Sequence, residues 1–407
     1  MRHQARHWMF GPSELAEHRT NSNIQASETL QRYAQEANIQ LPLMLSVEDE
    51  QAIIRFYLLR IGRLVRAFGL PNLVETTAMT LMKRFYIRNS CMQFHPKLIM
   101  LTSIYLSAKA ENYPVPLKHF CAQVNESTAK QGAEAPSKAT TPSAARGDVA
   151  ENIIRDLEFG MVQSLDFELG LHSPHRALYG FILDIQSVQP TLSREDVMGF
   201  AGAVQAYLQV ARLTDVEFVY APAHIALAAC WMCNAPSRKE GAPPISGKDL
   251  VQLWLGAKAE RGATLHESEL KDRVAWREKK RAIDEEIAKH EKNGANSNST
   301  IPTEESTEEP TDALNSDGFE IPISELETTF DAIATRIRDV LDPNVETKAP
   351  PRPFVDVERV KQIDLALRQC LQLFEKGQVT SSRKRASDDH PSSTKRQRTD
   401  SDSDNDP

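Results

Sequence analysis

The sequence predicts an all-α protein built on a duplicated helical module, and three observations lead to that reading. Apolar residues recur at helical spacing from about Ser46 to Ala110 with almost no β-branched alternation. Pro, Gly or Asn separates one periodic stretch from the next. The run FHPKLIMLTSIYLSAK (Phe94 to Lys109) lines up with YAPAHIALAACWMCNA (Tyr220 to Ala235), prolines and aliphatics coinciding.

The first expected helix, Asp49 to Phe68, sets Ile53, Phe56, Tyr57, Leu64 and Phe68 on one stripe and stops at Gly69, where positive φ costs little. Pro71 opens the second. The third begins at His95-Pro96, since proline loses no hydrogen bond in a first turn. Its apolar residues, from Leu98 to Leu106, surround most of the helix, which marks it as the central element of a bundle. A short helix over Pro116 to Val124 and a fifth carrying Ile154, Leu157, Met161, Val162 and Leu165 complete the set, and Asn125 to Gly147 reads as an inserted surface loop. The second region starts at Pro174, continues through Arg194 to Leu213 and includes Pro222 to Cys233. Ala259 to Glu291 reads as a solvated charged helix and Lys292 to Asp317 as disordered, being polar, acidic and proline-containing. Ile323 to Leu341 and Val357 to Phe374 are amphipathic helices, with a tail expected beyond Gln378.

Composition bounds the function. The chain has 407 residues, 41% hydrophobic and 26% charged, with a formal charge of −8. That length suits two or three domains, and the acidic total argues against a body that binds nucleic acid through bulk charge. No apolar run reaches the roughly 18 residues needed to span a bilayer, and MRHQARHWMF has no continuous apolar stretch resembling a signal peptide, so an intracellular protein is expected. The five scattered cysteines do not form a disulfide framework.

No Gly-rich phosphate loop, HExxH, GxSxG or HRD/DFG set is present, so no catalytic residues and no cofactor or metal are assigned. Cys230-Trp-Met-Cys233 has redox or zinc spacing but lies in an apolar helical run without a second ligand pair, and core packing is the expectation. His172 and His175 flank a Ser-Pro turn and read as surface histidines. In the tail, Arg383-Lys384-Arg385 and Lys395-Arg396-Gln-Arg398 have the spacing of a bipartite nuclear import signal, for which a solvated charge run is the plain alternative. Acidic serine repeats follow, as plausible phosphorylation sites. Lys109 ends the third helix and Glu158 borders the apolar face of the fifth. Spacing alone leaves open whether they pair, grip a partner's backbone or lie on solvated edges.

The stretch MKRFYIRNSCMQFHPKLIMLTSIYLSAKAENYPVPLKHF (Met82 to Phe120) resembles the cyclin box of the cyclin H family. Arg6-His-Trp8, Ser164 to Ile185 and Arg212 to Ala229 are similar to that family's opening segment, junction and second repeat. The resemblance implies two five-helix repeats with flanking helices. The implied division is an N-terminal segment over 1–45, a first box over 46–172 with an insertion at about 125–147, a second repeat over 173–345 with an insertion at about 259–318, a C-terminal helix over 346–377 and a tail over 378–407. It further implies a non-catalytic nuclear subunit that activates a cyclin-dependent kinase of general transcription factor IIH toward the RNA polymerase II C-terminal repeats, with a RING-type assembly factor as third partner.

On that resemblance Lys109 and Glu158 hold the kinase near its mobile helix, with Tyr105, Glu111, Phe159 and Val162 around them. Ala235 stands where Lys109 would fall in the second repeat, so only the first is expected to grip. Two departures bear on this: Ala110-Glu111-Asn112 replaces the family's acidic pair, and the Met-Arg and Trp pattern of substrate docking is missing from Ile53 to Leu58. Two rivals predict other features: a cyclin-fold nucleic-acid binder resembling general transcription factor IIB would need a zinc ribbon and a basic body, and a helical scaffold would make the charged pair incidental.

Overall fold

A computed structural model describes residues 7–132, 149–237, 243–261, 271, 322–341, 351 and 353–388. The chain divides into two compact units, Met1–Leu171 with Val355–Pro407, and His172–Phe354.

The first unit contains α1 (Pro12–Ala37), α2 (Val47–Ala67), α3 (Asn72–Arg88), α4 (Pro96–Ala110), α5 (Leu117–Gly132), α6 (Glu151–Ser164) and, from the far end of the chain, α13 (Val357–Asp388). Local sequence fixes the boundaries. Ser46 caps α2 by accepting the Asp49 N–H at 3.2 Å, and the Asp49 carboxylate accepts the Ser46 N–H in return. Gly69, at φ 66°, follows the helix end. His95 caps α4 through Nδ1, which accepts the Lys97 N–H at 3.0 Å, so that nitrogen is unprotonated. The α2 stripe is rotated from the expected one: Ile53, Tyr57, Leu58, Ile61 and Val65 are buried, while Phe56, Leu64 and Phe68 are half-buried. α4 is buried on most sides, and α3 shares its central place, with even Lys83 and Arg84 buried. α13 packs on α1 and α2, setting Phe374 against Tyr33 and Arg359 against Asp49 at 2.9 Å.

The second unit contains α7 (Pro174–Val188), α8 (Arg194–Ala211), the short α9 (Val216–Val219), α10 (Pro222–Met232), a two-residue antiparallel pair β1 (Asn234–Ala235) and β2 (Ile245–Ser246), α11 (247–261) and α12 (Ile323–Arg338). α10 is apolar apart from His224 and packs against α7, α8 and α12, the counterpart in this unit of α4. Trp231 is buried and Trp254 half-buried, and their indole N–H groups donate to Asp331 and Asp184, at 3.0 and 3.2 Å.

Several expectations need correcting. The loop expected from Asn125 begins later, because α5 continues to Gly132, with Glu126, Ala129, Lys130 and Gln131 favouring the helix; the rest of that loop, 133–148, lies outside the described residues. So do the expected disordered stretch 292–317 and most of the expected charged helix over 259–291. The tail expected beyond Gln378 is helical to Asp388. Of the two histidines expected at the surface, His172 is exposed but His175 is half-buried, its ring between Ser173 Oγ at 2.7 Å and Arg212 Nη2 at 2.8 Å. Arginine only donates, so Nε2 is the acceptor and the ring proton resides on Nδ1. Burial and Arg212 hold this imidazole neutral, its pKa down at about 4.

Candidate functional site

The charged residues singled out in the sequence meet in the first unit. Lys109 lies on the last turn of α4, and Glu158 is midway along α6, which packs beside α4. The ammonium Nζ stands 2.5 Å from Glu158 Oε1 and 5.4 Å from the centre of the Tyr105 ring one turn earlier. Lys109 is 46% exposed and Glu158 17%, so the pair is reachable from solvent. An ion pair this exposed contributes at most about 1 kcal/mol to folding. What it offers is geometry: an ammonium and a carboxylate held at fixed positions, with donors and acceptors to spare for a partner's backbone.

Apolar surface surrounds it. Phe159, next to Glu158, is 63% exposed, Tyr113 beyond the end of α4 is 48% exposed, and Val162 is half-buried one turn along α6. Two large aromatic side chains are thus exposed on or just beyond the helices that carry the ion pair. Glu111, the C-cap of α4, points its carboxylate elsewhere: it accepts the Thr77 hydroxyl of α3 at 2.6 Å.

Sequence reasoning missed Phe167. It follows Asp166 just past α6, both residues have positive φ (51° and 62°), and the Phe167 ring is 69% exposed. A bulky side chain in the left-handed region is strained, and Arg88 braces the turn by donating to Ser164 O at 3.0 Å and to Asp166 Oδ2 at 2.5 Å. The one sequence signal was Asp166, a residue type that tolerates this conformation.

The same corner anchors the chain's start. Trp8 is 1% exposed, donates its indole N–H to Glu168 at 2.9 Å and has the Arg84 and Arg88 guanidinium groups each 4.8 Å from its ring. His7 bonds the other oxygen of the same carboxylate.

Elsewhere the sequence-derived candidates separate. Cys230 and Cys233 are buried in the second unit, and burial pushes both thiols up, Cys233 to about 12. Among the described residues no three His, Cys, Asp or Glu side chains gather as a metal site, and no helix is long and apolar enough to cross a membrane. α10 stops at Met232, and Ala235 is buried in β1, so the position equivalent to Lys109 is not on a helix in the second unit. Arg383, Lys384 and Arg385 lie within the last turns of α13, whereas Lys395, Arg396 and Arg398 are outside the described residues.

Comparison with known proteins agrees with this architecture. Residues 28–170 match the cyclin N-terminal domain and residues 173–270 the cyclin C-terminal domain. The chain is 27% identical over 238 residues to cyclin mcs2 of Schizosaccharomyces pombe, covering 56% of this chain and 67% of that one. It is 28% identical over 229 residues to cyclin-H of Xenopus laevis, covering 56% and 65%. The match thus spans about two thirds of each relative's length. A chain in the CAK complex of Chaetomium thermophilum bound to ATP-gamma-S shares the fold, with a TM-score of 0.57 at 18% identity, over 99% of this chain and 96% of that one. With two cyclin domains matched in sequence order across more than half its length, the chain belongs to the cyclin family, and the relatives it resembles include proteins of the cyclin H type.

Proposed function

We propose that this chain is the regulatory subunit of a cyclin-dependent kinase of general transcription factor IIH, binding through α4 and α6 of the first unit and promoting phosphorylation of the RNA polymerase II C-terminal repeats. The observation that carries the reading is the solvent-reachable Lys109–Glu158 pair, 2.5 Å apart and flanked by exposed Phe159. Tyr105 and Val162 complete the surface, with Glu111 at its edge. The kinase supplies all phosphoryl-transfer chemistry, and this chain contributes no catalytic residue. Binding favours the kinase conformation in which the catalytic Lys and Glu pair, a population shift set by differential affinity for the two states. A RING-type assembly factor is the third subunit in this reading, with no direct contact to nucleic acid. The protein acts in the nucleus, reached through Arg383, Lys384, Arg385, Lys395, Arg396 and Arg398. The resemblance to the cyclin H family supports the choice of kinase.

The test is phosphorylation of a heptad-repeat peptide by the partner kinase alone, with this chain, and with a Lys109→Glu plus Glu158→Lys variant whose circular dichroism matches the parent. Strong stimulation that the double variant loses is the expected result. A competent transcription kinase that neither binds nor responds to the parent chain overturns the reading and favours the scaffold alternative.

A further inference from the structure

α3 carries three buried threonines near its start, and they do different things. Thr76 returns its hydroxyl proton to Asn72 O at 2.9 Å and Thr80 to Thr76 O at 3.2 Å, the back-bonding expected of threonine inside a helix. Thr77, fully buried, instead donates across to α4, where Glu111 Oε1 accepts at 2.6 Å. Glu111 sits at the C-terminal end of α4, where the helix dipole disfavours an anion, so the carboxylate needs an offsetting partner, and Thr77 is one. Two residues before Glu111 in the same closing turn is Lys109. The turn then closes through Asn112, at φ 63°, with its N–H on Lys109 O at 3.2 Å and the Tyr113 N–H on Ala108 O at 2.8 Å. The Thr77–Glu111 bond therefore ties the end of α4, and with it the base of the Lys109 side chain, to the buried helix α3.

We infer that Thr77 and Glu111 are positioning residues for kinase binding: their hydrogen bond fixes the last turn of α4 so that the Lys109 ammonium is presented in register with Glu158. The inference rests on the kinase-binding reading above and deepens it, giving Glu111 a role through Lys109 in place of direct contact with the partner. A neutral amide oxygen can accept the Thr77 proton as a carboxylate does, so the role requires an acceptor at position 111 and not a charge.

The experiment measures kinase affinity and thermal stability for Thr77→Val, Thr77→Ser, Glu111→Ala, Glu111→Gln and Lys109→Ala, and for the double variant Thr77→Val/Lys109→Ala, all in the full chain. Thr77→Val and Glu111→Ala are each expected to weaken kinase binding about five- to tenfold, while Thr77→Ser and Glu111→Gln stay within about twofold of the parent. In the double variant, Thr77→Val adds no further loss of affinity to Lys109→Ala, although it still lowers the melting temperature; a purely structural role gives the opposite, additive pattern. Glu111→Gln as damaging as Glu111→Ala, with Thr77→Val harmless, overturns the inference in favour of direct contact. Additive losses overturn it in favour of general destabilisation. A Lys109→Ala variant that binds like the parent overturns the kinase-binding reading itself, and the inference with it.

Discussion

Trp8 and Glu168, 160 residues apart, are joined by a 2.9 Å hydrogen bond from the indole nitrogen to the carboxylate. The bond closes the first unit on itself, bringing the start of the chain to the strained turn that displays Phe167. Trp8→Ala removes a fully buried ring and its contacts with Arg84 and Arg88, and should destabilise the unit by about 3 to 5 kcal/mol in urea unfolding. Trp8→Phe keeps an aromatic surface and loses the bond to a charged acceptor, so a loss nearer 1.5 to 3 kcal/mol is expected, about the worth of that bond.

Glu50 of α2 is 6% exposed and accepts the Ser90 hydroxyl, and burial pushes its carboxyl up to about 7. Its folded-state pKa is thus raised above an unfolded value of 4.5. Between these two values the unfolded chain releases the proton and the folded one keeps it, so stability falls as pH rises through that window and levels off above it. Glu50→Gln should remove this slope and leave the protein more stable at pH 8 by up to about 3 kcal/mol, measured as urea unfolding at pH 5 and pH 8.

His175, in the second unit, has the opposite sign. Its pKa is lowered to about 4, so from its ordinary value of 6.5 downward the unfolded chain takes up a proton that the folded one refuses. Stability contributed by the neutral ring is lost as the pH falls through this window. His175→Gln should flatten the acid limb of the second unit's unfolding profile, while leaving the slope due to Glu50 in place.

Gly247 opens α11, and a Cβ there would stand 1.8 Å from Cys230 O and 2.6 Å from Cys233 O. Both obstacles are backbone and cannot swing aside. Gly247→Ala should cost more than about 2 kcal/mol, read as a lowered melting transition for the second unit.

All five cysteines are buried, and burial raises the thiols of Cys91, Cys230, Cys233 and Cys370. A thiol-reactive disulfide reagent should label the native protein slowly and label five thiols promptly in denaturant. Rapid native labelling at Cys230 or Cys233 would contradict the packing of α10.

How much of this could be read from the sequence depends on the kind of signal each residue carried. α4 and α10 are legible because a helix with apolar residues on most of its sides has one stable environment, the centre of a bundle. α3 did not, since Thr77, Lys83 and Arg84 look like surface residues, and their burial depends on partners from elsewhere in the fold. α5 and α13 run past their amphipathic stretches, and periodicity marks only the buried part of a helix, so it is silent on where such a helix ends. Phe167 was invisible for a different reason: a left-handed pair of non-glycine residues runs against local preference and is held by Arg88, 78 residues away.

The sequence by itself determined the helical class and the duplication, and it placed Lys109 and Glu158 at the borders of apolar helix faces, because these follow from spacing along the chain. The tertiary structure alone decided that Lys109 and Glu158 meet, that Glu111 turns inward to Thr77 and that His175 is neutral between Ser173 and Arg212. Each is a relationship between side chains on different elements, fixed by how helices pack and by which polar groups burial forces to find partners, and local pattern does not encode those distances.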